Sequence, residues 1–479
     1  MSDSDPRARP AVWLFVAAVV AATALYGRAL LFPVLVQDDF QILARSWTWA
    51  KTGEGLWLPN NEHAMPLGRL LTFAVVRLAG RPTGLPLAAV LAGVVGLLPA
   101  LALTYLFVRR ELGHPFYGLT ALVLFGVSSV YQQAVYWFAA SFSVYALDAL
   151  LLALLAAQQF RQTGLLRWLL ACVLCCAAAP CWFASGVLAG PLCCLYLLPG
   201  EGAASKSAPP IASRLAPLLG TAAFLAVSLP LTAPIILHLE HYRDSTALEA
   251  FRPLTGAWYT VRSVVDNLAT GAFGVTGVTV GPVAAPLIFA ALVAAAGWWA
   301  HRSPRRRLAL LGAGLIFGSY LLIYSARATW SYDGAGMVTP SGSRYHLQPQ
   351  LGLTLLVCGG LPAWEGRWFR LDPGGRLSPG QTRALAWLLG VCFLVQAPRG
   401  LLCYYAANPR QAERLRLIEH VSDICQEHRI SAEAARRALG PLPMPESTTT
   451  VDGWEFLRGS DDPKDWSREE VAEMLREVK

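Results

Sequence analysis

Charge is scarce in this chain. Of its 479 residues only 15% are charged, whereas 55% are hydrophobic, and the mean hydropathy is +0.44. A soluble protein carries about a quarter charged residues, because its surface faces water. Hydrocarbon cannot solvate charge, so the shortage indicates a surface that faces lipid. The sequence therefore predicts an all-α polytopic membrane protein, with its polar residues collected in loops and at a few inward sites.

Several signatures of soluble enzymes are missing as well. The sequence has no Walker motif, no G-x-G-x-x-G after a predicted strand, no H-E-x-x-H and no internal repeat. An ATPase, a nucleotide-binding domain and a zinc protease are therefore not expected in this chain. The basic residues are scattered between apolar runs instead of forming one stripe, which argues against nucleic acid as a partner.

Cysteine occurs ten times, and nine of the ten lie inside or at the edge of apolar segments. Cys172, Cys175 and Cys176 form a C-x-x-C-C group in a run that lacks His and carboxylates. This setting favours small, polarizable helix-packing residues over a metal or redox site. A disulfide across a short loop, such as Cys181 with Cys193, stays open as an alternative.

Eleven apolar segments are long enough, or nearly long enough, to cross a bilayer, which takes about 20 residues. They are residues 11–36, 84–108, 116–132, 141–160, 165–182, 183–199, 214–238, 283–300, 308–325, 347–363 and 384–405. The first run follows two arginines like a signal peptide, but it lacks a convincing cleavage site, so we interpret it as the first transmembrane helix. A twelfth stretch, 64–79, is shorter and carries Arg69 and Arg77.

The positive-inside rule decides how the stretch 64–79 is placed. With the N-terminus (1–10) in the cytoplasm and 64–79 in the interface, the short basic loops fall inside and the long loops rich in Trp, Tyr, His and acids fall outside. The sequence thus predicts a transmembrane domain over 11–405 with about eleven helices, a first extracytoplasmic loop at 37–83, and a short helical tail over 406–479. The tail carries 11 Lys and Arg against 15 Asp and Glu, and we expect it outside.

Apolar residues at helical spacing in two outside loops predict amphipathic interfacial helices at the headgroup level. The stripes are Phe40, Leu43, Trp47 and Ala50 in the first loop, and Leu254, Trp258, Val261, Val265 and Leu268 in the second. In the tail, Ser467 and Glu470 form a capping box that starts a last helix. The tail has too little apolar material for a core of its own, so we expect it to pack on the membrane domain.

Two adjacent carboxylates, Asp38 and Asp39, follow the first span directly. Like charges this close raise each other's pKa unless a cation compensates them. A divalent metal, a cationic side chain or a hydrogen-bonded acceptor would satisfy the pair. The alternative is that the two residues only mark the end of a helix in water.

Anion-binding residues follow in the same loop. Pro66 can begin a helix, which puts Glu62 and His63 at the helix entrance and Arg69 about one turn inside it. An arginine on an interfacial helix suits a phosphate held at headgroup depth. The alternative is that the side chain only snorkels toward water.

A further polar group, Arg344-Tyr345-His346, runs straight into a span from the outside. It offers a bidentate phosphate donor, a hydroxyl and a titratable imidazole. An aromatic belt explains Tyr345 but not Arg344, whose charge is on the wrong side for orientation. Trp137, in a short outside loop, can stack on a sugar ring.

The order of these parts resembles the GT-C superfamily of membrane glycosyltransferases, in the group with protein O-mannosyltransferases and lipid A aminoarabinose transferases. A first span is followed by the acidic pair, an interfacial helix and the pattern H-x-x-P-L-x-x-L beginning at His63. Further spans come next, with a late Arg344-Tyr345 entering a helix. The likeness covers roughly residues 11–405, and its motifs are short.

The resemblance implies inverting transfer of a sugar from a polyprenyl-phosphate donor to a glycan, lipid or protein acceptor. The reaction would take place on the outer face of a membrane, expected to be the bacterial cytoplasmic membrane. Asp38 or Asp39 would act as base or as ligand to a divalent metal such as Mg²⁺ or Mn²⁺, and His63, Arg69 and Arg344 would contact the donor phosphate. The remaining expected substrate contacts are Glu62, Trp137, Tyr345 and His346.

Two other functions stay open. A transporter or flippase for a lipid-linked or small solute would use a charge inside the membrane, and Asp148 is one such acid within a span. That class also leads us to expect inverted repeats and charges near the membrane midplane, whereas the sequence shows no repeat and places its charges at the outer interface. A catalytically inactive membrane assembly partner has no sequence feature that separates it from an active enzyme.

Overall fold

The computed structural model describes residues 9–58, 64–197, 253–273, 283–302, 306–327, 332–333, 336–337, 343–366, 370–372, 375–402, 409–444 and 451–476, and nearly all of it is helical. The helices are α1 (Arg9–Ala24), α2 (Gly27–Leu31), α3 (Asp38–Ala44), α4 (Trp49–Gly55), α5 (Pro66–Ala79), α6 (Leu85–Leu112), α7 (Pro115–Gly126), α8 (Gln133–Tyr136), α9 (Phe138–Thr163), α10 (Leu166–Trp182), α11 (Ala189–Leu197), α12 (Pro253–Phe273), α13 (Ala284–Arg302), α14 (Arg306–Arg327), α15 (Leu347–Gly360), α16 (Pro379–Leu402), α17 (Pro409–Glu427), α18 (Ala432–Leu439) and α19 (Arg468–Met474). Short 3-10 turns join several of them. Before α15, two-residue strands β1 (Tyr332–Asp333) and β2 (Gly336–Met337) pair antiparallel.

Among the described residues, three helices are long and apolar enough to cross a membrane. They are Pro82–Leu112, Phe138–Thr163 and Arg307–Ser325. Shorter apolar helices lie at Pro10–Ala24, Pro115–Gly126, Leu166–Trp182, Ala184–Leu197 and Ala284–Trp298. The helical, membrane-type character predicted from the scarcity of charge is confirmed. The arrangement with about eleven spans stays a prediction, and its segment 214–238 lies outside the described residues.

Helix α9 lies at the centre of the membrane domain. It packs on α6 and α10 and also contacts α8 and α11, and 89% of its most apolar stretch is buried. Helix α6 approaches closely because Gly93 and Gly96 carry no side chain. A Cβ on Gly93 would collide with the carbonyl oxygen of Val135, and one on Gly96 with the ring of Tyr145. Small residues at such crossings are typical of helix packing in membranes.

The first loop holds two short helices where the apolar spacing predicted one. Helix α4 begins after Thr48, whose side chain accepts a hydrogen bond from the Lys51 N–H (3.3 Å). Thr48 has extended backbone angles and serves as an N-cap, so the helix that precedes it cannot continue through it. Phe40, Leu43 and Trp47 are nevertheless buried. Three of the four predicted stripe residues are therefore buried, whereas Ala50 is exposed, and the predicted single helix is wrong.

The second predicted stripe is only partly buried. Helix α12 forms, but Leu254 is 87% exposed, and its buried face carries Tyr259, Ser263 and Asn267. Ser263 donates to the Tyr259 carbonyl (2.7 Å), and Asn267 donates to the Tyr320 hydroxyl (3.0 Å). Leucine is stable against lipid, whereas hydrogen-bonding groups need partners that only the protein supplies. The buried side of the helix therefore combines these polar residues with Val264 and Val265, which are 4% and 1% exposed.

The nine cysteines within the described residues are all free, so the disulfide considered between Cys181 and Cys193 does not form. Cys181 instead donates to the Ala177 carbonyl four residues earlier (3.4 Å). This bond is the usual way for a thiol to be satisfied inside an apolar helix.

The tail packs on the first loop. At the start of α17, the Gln411 side chain pairs with the backbone of Leu35, accepting from its N–H and donating to its carbonyl, both at 3.0 Å. The Trp47 ring meets Phe456 edge-on, with 5.5 Å between centroids. The capping box predicted before α19 forms, with both of its hydrogen bonds present.

These contacts also locate the far end of α5. Arg81 and Thr83, just past α5, bind Glu419, which lies eight residues after Gln411 on α17. Eight residues of helix rise about 12 Å, far less than the roughly 30 Å of a bilayer core. The chain therefore leaves α5 near the point where it enters the first loop at Leu35.

Candidate functional site

The acidic pair opens α3, and its two members have different surroundings. Asp39 is fully buried. One of its carboxylate oxygens accepts from the Val36 N–H (2.8 Å), and the other accepts from the Ala139 N–H (2.7 Å). Ala139 is the second residue of α9, so Asp39 caps the amino end of that helix from a distant part of the chain. The first loop is thereby tied to the centre of the membrane domain.

Burial changes the acidity of Asp39. Removal from water disfavours the charged carboxylate and raises the pKa of Asp39 to about 7. The N–H donors of Val36 and Ala139 oppose this rise, because they stabilise the carboxylate, and the adjacent Asp38 adds to it. Asp39 therefore changes its protonation near neutral pH.

Asp38 keeps part of its surface open, whereas Asp39 is sealed. A group that exchanges a proton with a substrate has to come within hydrogen-bonding reach of it. Only Asp38 of the pair meets that condition, so the structure separates two residues that the sequence could not tell apart.

Arg344 is held beside the amino end of α9. Its guanidinium carbon lies 4.5 Å from the centroids of both the Trp137 and the Tyr345 rings, and its Nη2 donates to the Tyr345 hydroxyl (2.9 Å). Its backbone N–H donates to the Gln133 amide oxygen (3.5 Å). These contacts fix the position of the charge. Trp137 lies two residues before the N–H that binds Asp39, so one short segment connects the acidic pair with Arg344.

Trp137 and His346, both predicted to contact the substrate, are instead buried against other side chains of the protein. Trp137 is only 4% exposed and lies against Arg344. It does not offer the open ring face that stacking on a sugar requires, and instead it positions Arg344. The imidazole Nδ1 of His346 is 2.8 Å from the Tyr320 hydroxyl, which also accepts from Asn267. His346 belongs to this buried network.

Arg69 is 1% exposed, and its Nε, Nη1 and Nη2 atoms have no hydrogen-bond partner among the described residues. Burial, together with the like charge of Arg45, lowers the pKa of Arg69 to about 10. The buried position contradicts simple snorkelling, in which the guanidinium would reach water. Glu62 and His63, expected beside it, lie outside the described residues.

Sequence reasoning missed Arg45, which directly follows α3 and is half-buried. The acidic pair begins this helix, and Arg45 follows its last residue, close enough to Arg69 for their like charges to repel. Seven residues of helix measure about 10 Å, so both kinds of charge are gathered around one short element. The signal was available, because Arg45 is a cation in a loop predicted to be outside, as Arg344 is.

The fit of a divalent metal to the acidic pair can be judged from the two carboxylates. Asp39 is sealed, and each of its oxygens already accepts a backbone N–H. Asp38 alone supplies one carboxylate, whereas an ion such as Mg²⁺ needs several oxygen ligands. Joint binding of Mg²⁺ or Mn²⁺ by both carboxylates therefore does not fit this geometry.

Neither a protein-family model nor a curated protein matches the sequence. The function is therefore inferred from the residues of the site and their geometry.

Proposed function

We propose that the chain is a GT-C-type membrane glycosyltransferase that moves a sugar, with inversion, from a polyprenyl-phosphate donor to an acceptor hydroxyl. The reaction takes place at the outer face of the bacterial cytoplasmic membrane, with the N-terminus inside. The proposal rests on residues 137–139, which contact Asp39 through a backbone N–H and Arg344 through an aromatic ring. A carboxylate and a phosphate-binding cation are thus associated with the same helix end.

The proposed reaction assigns a task to each outward-facing charge. The acceptor oxygen forms a bond to the anomeric carbon, the bond from that carbon to the donor phosphate breaks, and the acceptor proton passes to Asp38. The leaving polyprenyl phosphate gains negative charge, which Arg344 stabilises. Arginine suits this task because its planar guanidinium binds two phosphate oxygens at once.

Asp39 is a positioning residue in this scheme. Its two bonds to backbone N–H groups fix the first turn of α3 against the amino end of α9. Because Asp38 is in the same turn, its carboxylate is held relative to Trp137 and Arg344. Without these two bonds Asp38 would still be able to accept a proton, but its carboxylate would no longer be held in position for the reaction.

Arg69 supports the same class of substrate. A guanidinium that is buried without a counter-charge is costly, and a phosphate would supply the acceptors that the described residues do not. A phosphate between Arg69 and Arg45 would also relieve the repulsion of their like charges. A lipid-linked donor carries such a phosphate at the membrane interface. Helix α5 would lie at the same depth if it does not cross the membrane.

Transport is the alternative with a specific observation in its favour. Asp148, within α9, is 8% exposed, and its Oδ1 has no hydrogen-bond partner among the described residues. An acid buried inside a membrane helix is a candidate proton site. A transporter would need Asp148 and would tolerate changes at Asp38, whereas the transferase would show the reverse.

The two functions are separated by one experiment in proteoliposomes. A panel of ¹⁴C-labelled polyprenyl-phosphate hexoses and pentoses is supplied with a cell-envelope extract as acceptor. We expect label to leave the donor together with release of polyprenyl phosphate, and Asp38→Asn to slow this about 100-fold or more. Movement of intact donor or solute across the bilayer without a covalent product would establish transport. Donor binding without either event would identify an inactive assembly partner, and both results would overturn the proposal.

A further inference from the structure

Three cysteines converge between α10 and α11. Cys172 and Cys176 lie one turn apart on α10, and Cys193 lies on α11; their Sγ atoms are all within 4.8 Å of one another. The three residues are 3%, 4% and 3% exposed, and all are free thiols. The sequence did not predict this, because Cys193 is separated from the C-x-x-C-C group by the end of one helix and the start of the next.

This arrangement differs from ordinary packing of cysteine in a helix. Cys181, on the same helix, donates to the carbonyl four residues before it. The thiols of Cys172, Cys176 and Cys193 have hydrogen-bonding contacts with one another. Their sulfur atoms face one another instead, although three weak donors make poor partners for each other.

Three convergent sulfur atoms are a ligand set for a soft metal ion. Metal–sulfur bonds of about 2.3 Å place three ligands of a trigonal site about 4.0 Å apart. The sulfur atoms therefore need to move by less than about 1 Å from their present separation of at most 4.8 Å. No fourth His, Cys or carboxylate belongs to the group within the described residues. Structural zinc sites take four ligands, whereas thiolates without a fourth ligand favour Cu(I).

A polar cluster on the same side of the membrane domain lies one helical turn from Cys193. Cys193 lies one turn before Tyr196, whose hydroxyl donates to Glu111 and whose ring is 4.8 Å from the guanidinium of Arg161. Arg161 also forms an ion pair with Glu111 (3.9 Å), so this cluster carries charges of both signs. The loops around Arg161 are those that the positive-inside rule assigns to the cytoplasm. Thiols stay reduced in that compartment, and a reduced site can take up copper as Cu(I).

We propose that Cys172, Cys176 and Cys193 form a trigonal binding site for Cu(I) on the cytoplasmic side of the membrane domain. Binding displaces the thiol protons into water and leaves the oxidation state of copper unchanged, so no oxidant or reductant takes part. The site bridges α10 and α11, and its occupation ties these two helices together. It is separate from the acidic pair, and its failure would not affect the proposed transferase reaction.

The test uses the full-length protein purified in detergent under anaerobic, reducing conditions. Cu(I) is added in competition with bicinchoninate, and X-ray absorption reports the ligands of bound copper. We expect one equivalent of copper with three sulfur ligands. Serine at position 172, 176 or 193 (C172S, C176S, C193S) should weaken binding at least tenfold. The matched control is Cys181→Ser, on the same helix, which should bind copper as the unsubstituted protein does.

The outcomes are distinguishable even where a variant fails to fold, because the absorption spectrum is measured on the unsubstituted protein. Failure of that protein to take copper from bicinchoninate would identify a packing cluster and overturn the proposal. Copper binding that survives Cys193→Ser, or preferential uptake of Zn²⁺ with a fourth non-sulfur ligand, would overturn it as well.

Discussion

Replacing Asp38 and Asp39 one at a time by Asn compares two acids that are adjacent on the same helix. Asp38→Asn keeps the size of the side chain and removes its ability to accept a proton. Asp39→Asn keeps one oxygen acceptor and replaces the other with an NH₂ donor. Because both Asp39 oxygens accept from backbone N–H groups, one of these donors then loses its partner.

The expected magnitudes follow from these contacts. A buried N–H without a partner costs about 1–3 kcal/mol, so Asp39→Asn should lower the free energy of unfolding by about this amount. Asp38 is only half-buried, and its substitution should change stability by less than about 0.5 kcal/mol. Loss of a general base lowers the rate by about 10²–10⁴-fold. We therefore expect Asp38→Asn to remove activity without affecting stability, and Asp39→Asn to lower stability and activity together.

Both properties are measured on the same preparations. Thermal melting followed by tryptophan fluorescence gives stability, and turnover of the ¹⁴C-labelled polyprenyl-phosphate donors gives kcat and KM. A positioning role also predicts that Asp39→Asn, assayed on folded protein well below its melting temperature, loses less of kcat than Asp38→Asn does.

The opposite pattern would refute this reasoning. If Asp39→Asn melts like the unsubstituted protein yet loses all turnover, while Asp38→Asn stays active, then Asp39 is the base and its burial does not exclude it from the reaction. Full activity in both variants would remove the acidic pair from the mechanism.

Three other outcomes are expected. Arg69→Met should melt at an equal or higher temperature while polyprenyl-phosphate binding falls at least tenfold, because an uncompensated buried charge is removed; Arg77→Met, exposed on the same helix, is the control, and weaker binding in both variants alike would contradict a specific site. Because burial raises the Asp39 pKa to about 7, its neutral form adds stability that is complete below about pH 3.8 and is lost as the pH rises to about 7; the melting temperature should decline over this range by more in the unsubstituted protein than in Asp39→Asn, and equal slopes would contradict the assignment. Gln411→Ala should expose the tail to limited proteolysis, since each buried backbone group left without a partner costs about 1–3 kcal/mol, whereas Arg81→Ala removes only an exposed ion pair and should leave the tail protected.

The sequence identified which charged residues are unusual, but it did not reveal their burial or their contacts. The acidic pair, Arg69 and Arg344 were all recognised as unusual, because a charge beside an apolar run needs a reason. Their environments were not recognised. The spacing of Arg69 allowed a snorkelling side chain as well as a buried one, and Asp38 and Asp39 were equivalent in sequence.

The errors have physical causes. The predicted apolar stripe in the first loop continued through Thr48. Thr48 instead caps the start of a new helix, and the spacing of apolar residues carries no information about capping. In α12 the predicted stripe is divided, because Leu254 is exposed whereas Val265 is buried beside the polar Ser263 and Asn267. The cysteine group looked like packing until α11 brought a third sulfur to it.

The membrane character, most of the helical segments and the candidate charged residues were determined by the sequence alone, because hydropathy and helical period are local properties that add along the chain. The different surroundings of the two acids were decided by the tertiary structure. Asp39 finds its N–H donor 100 residues away, and Gln411 pairs with a backbone 376 residues away. Such contacts depend on how whole helices pack, so only the folded protein distinguishes the sealed Asp39 from the partly open Asp38 beside it.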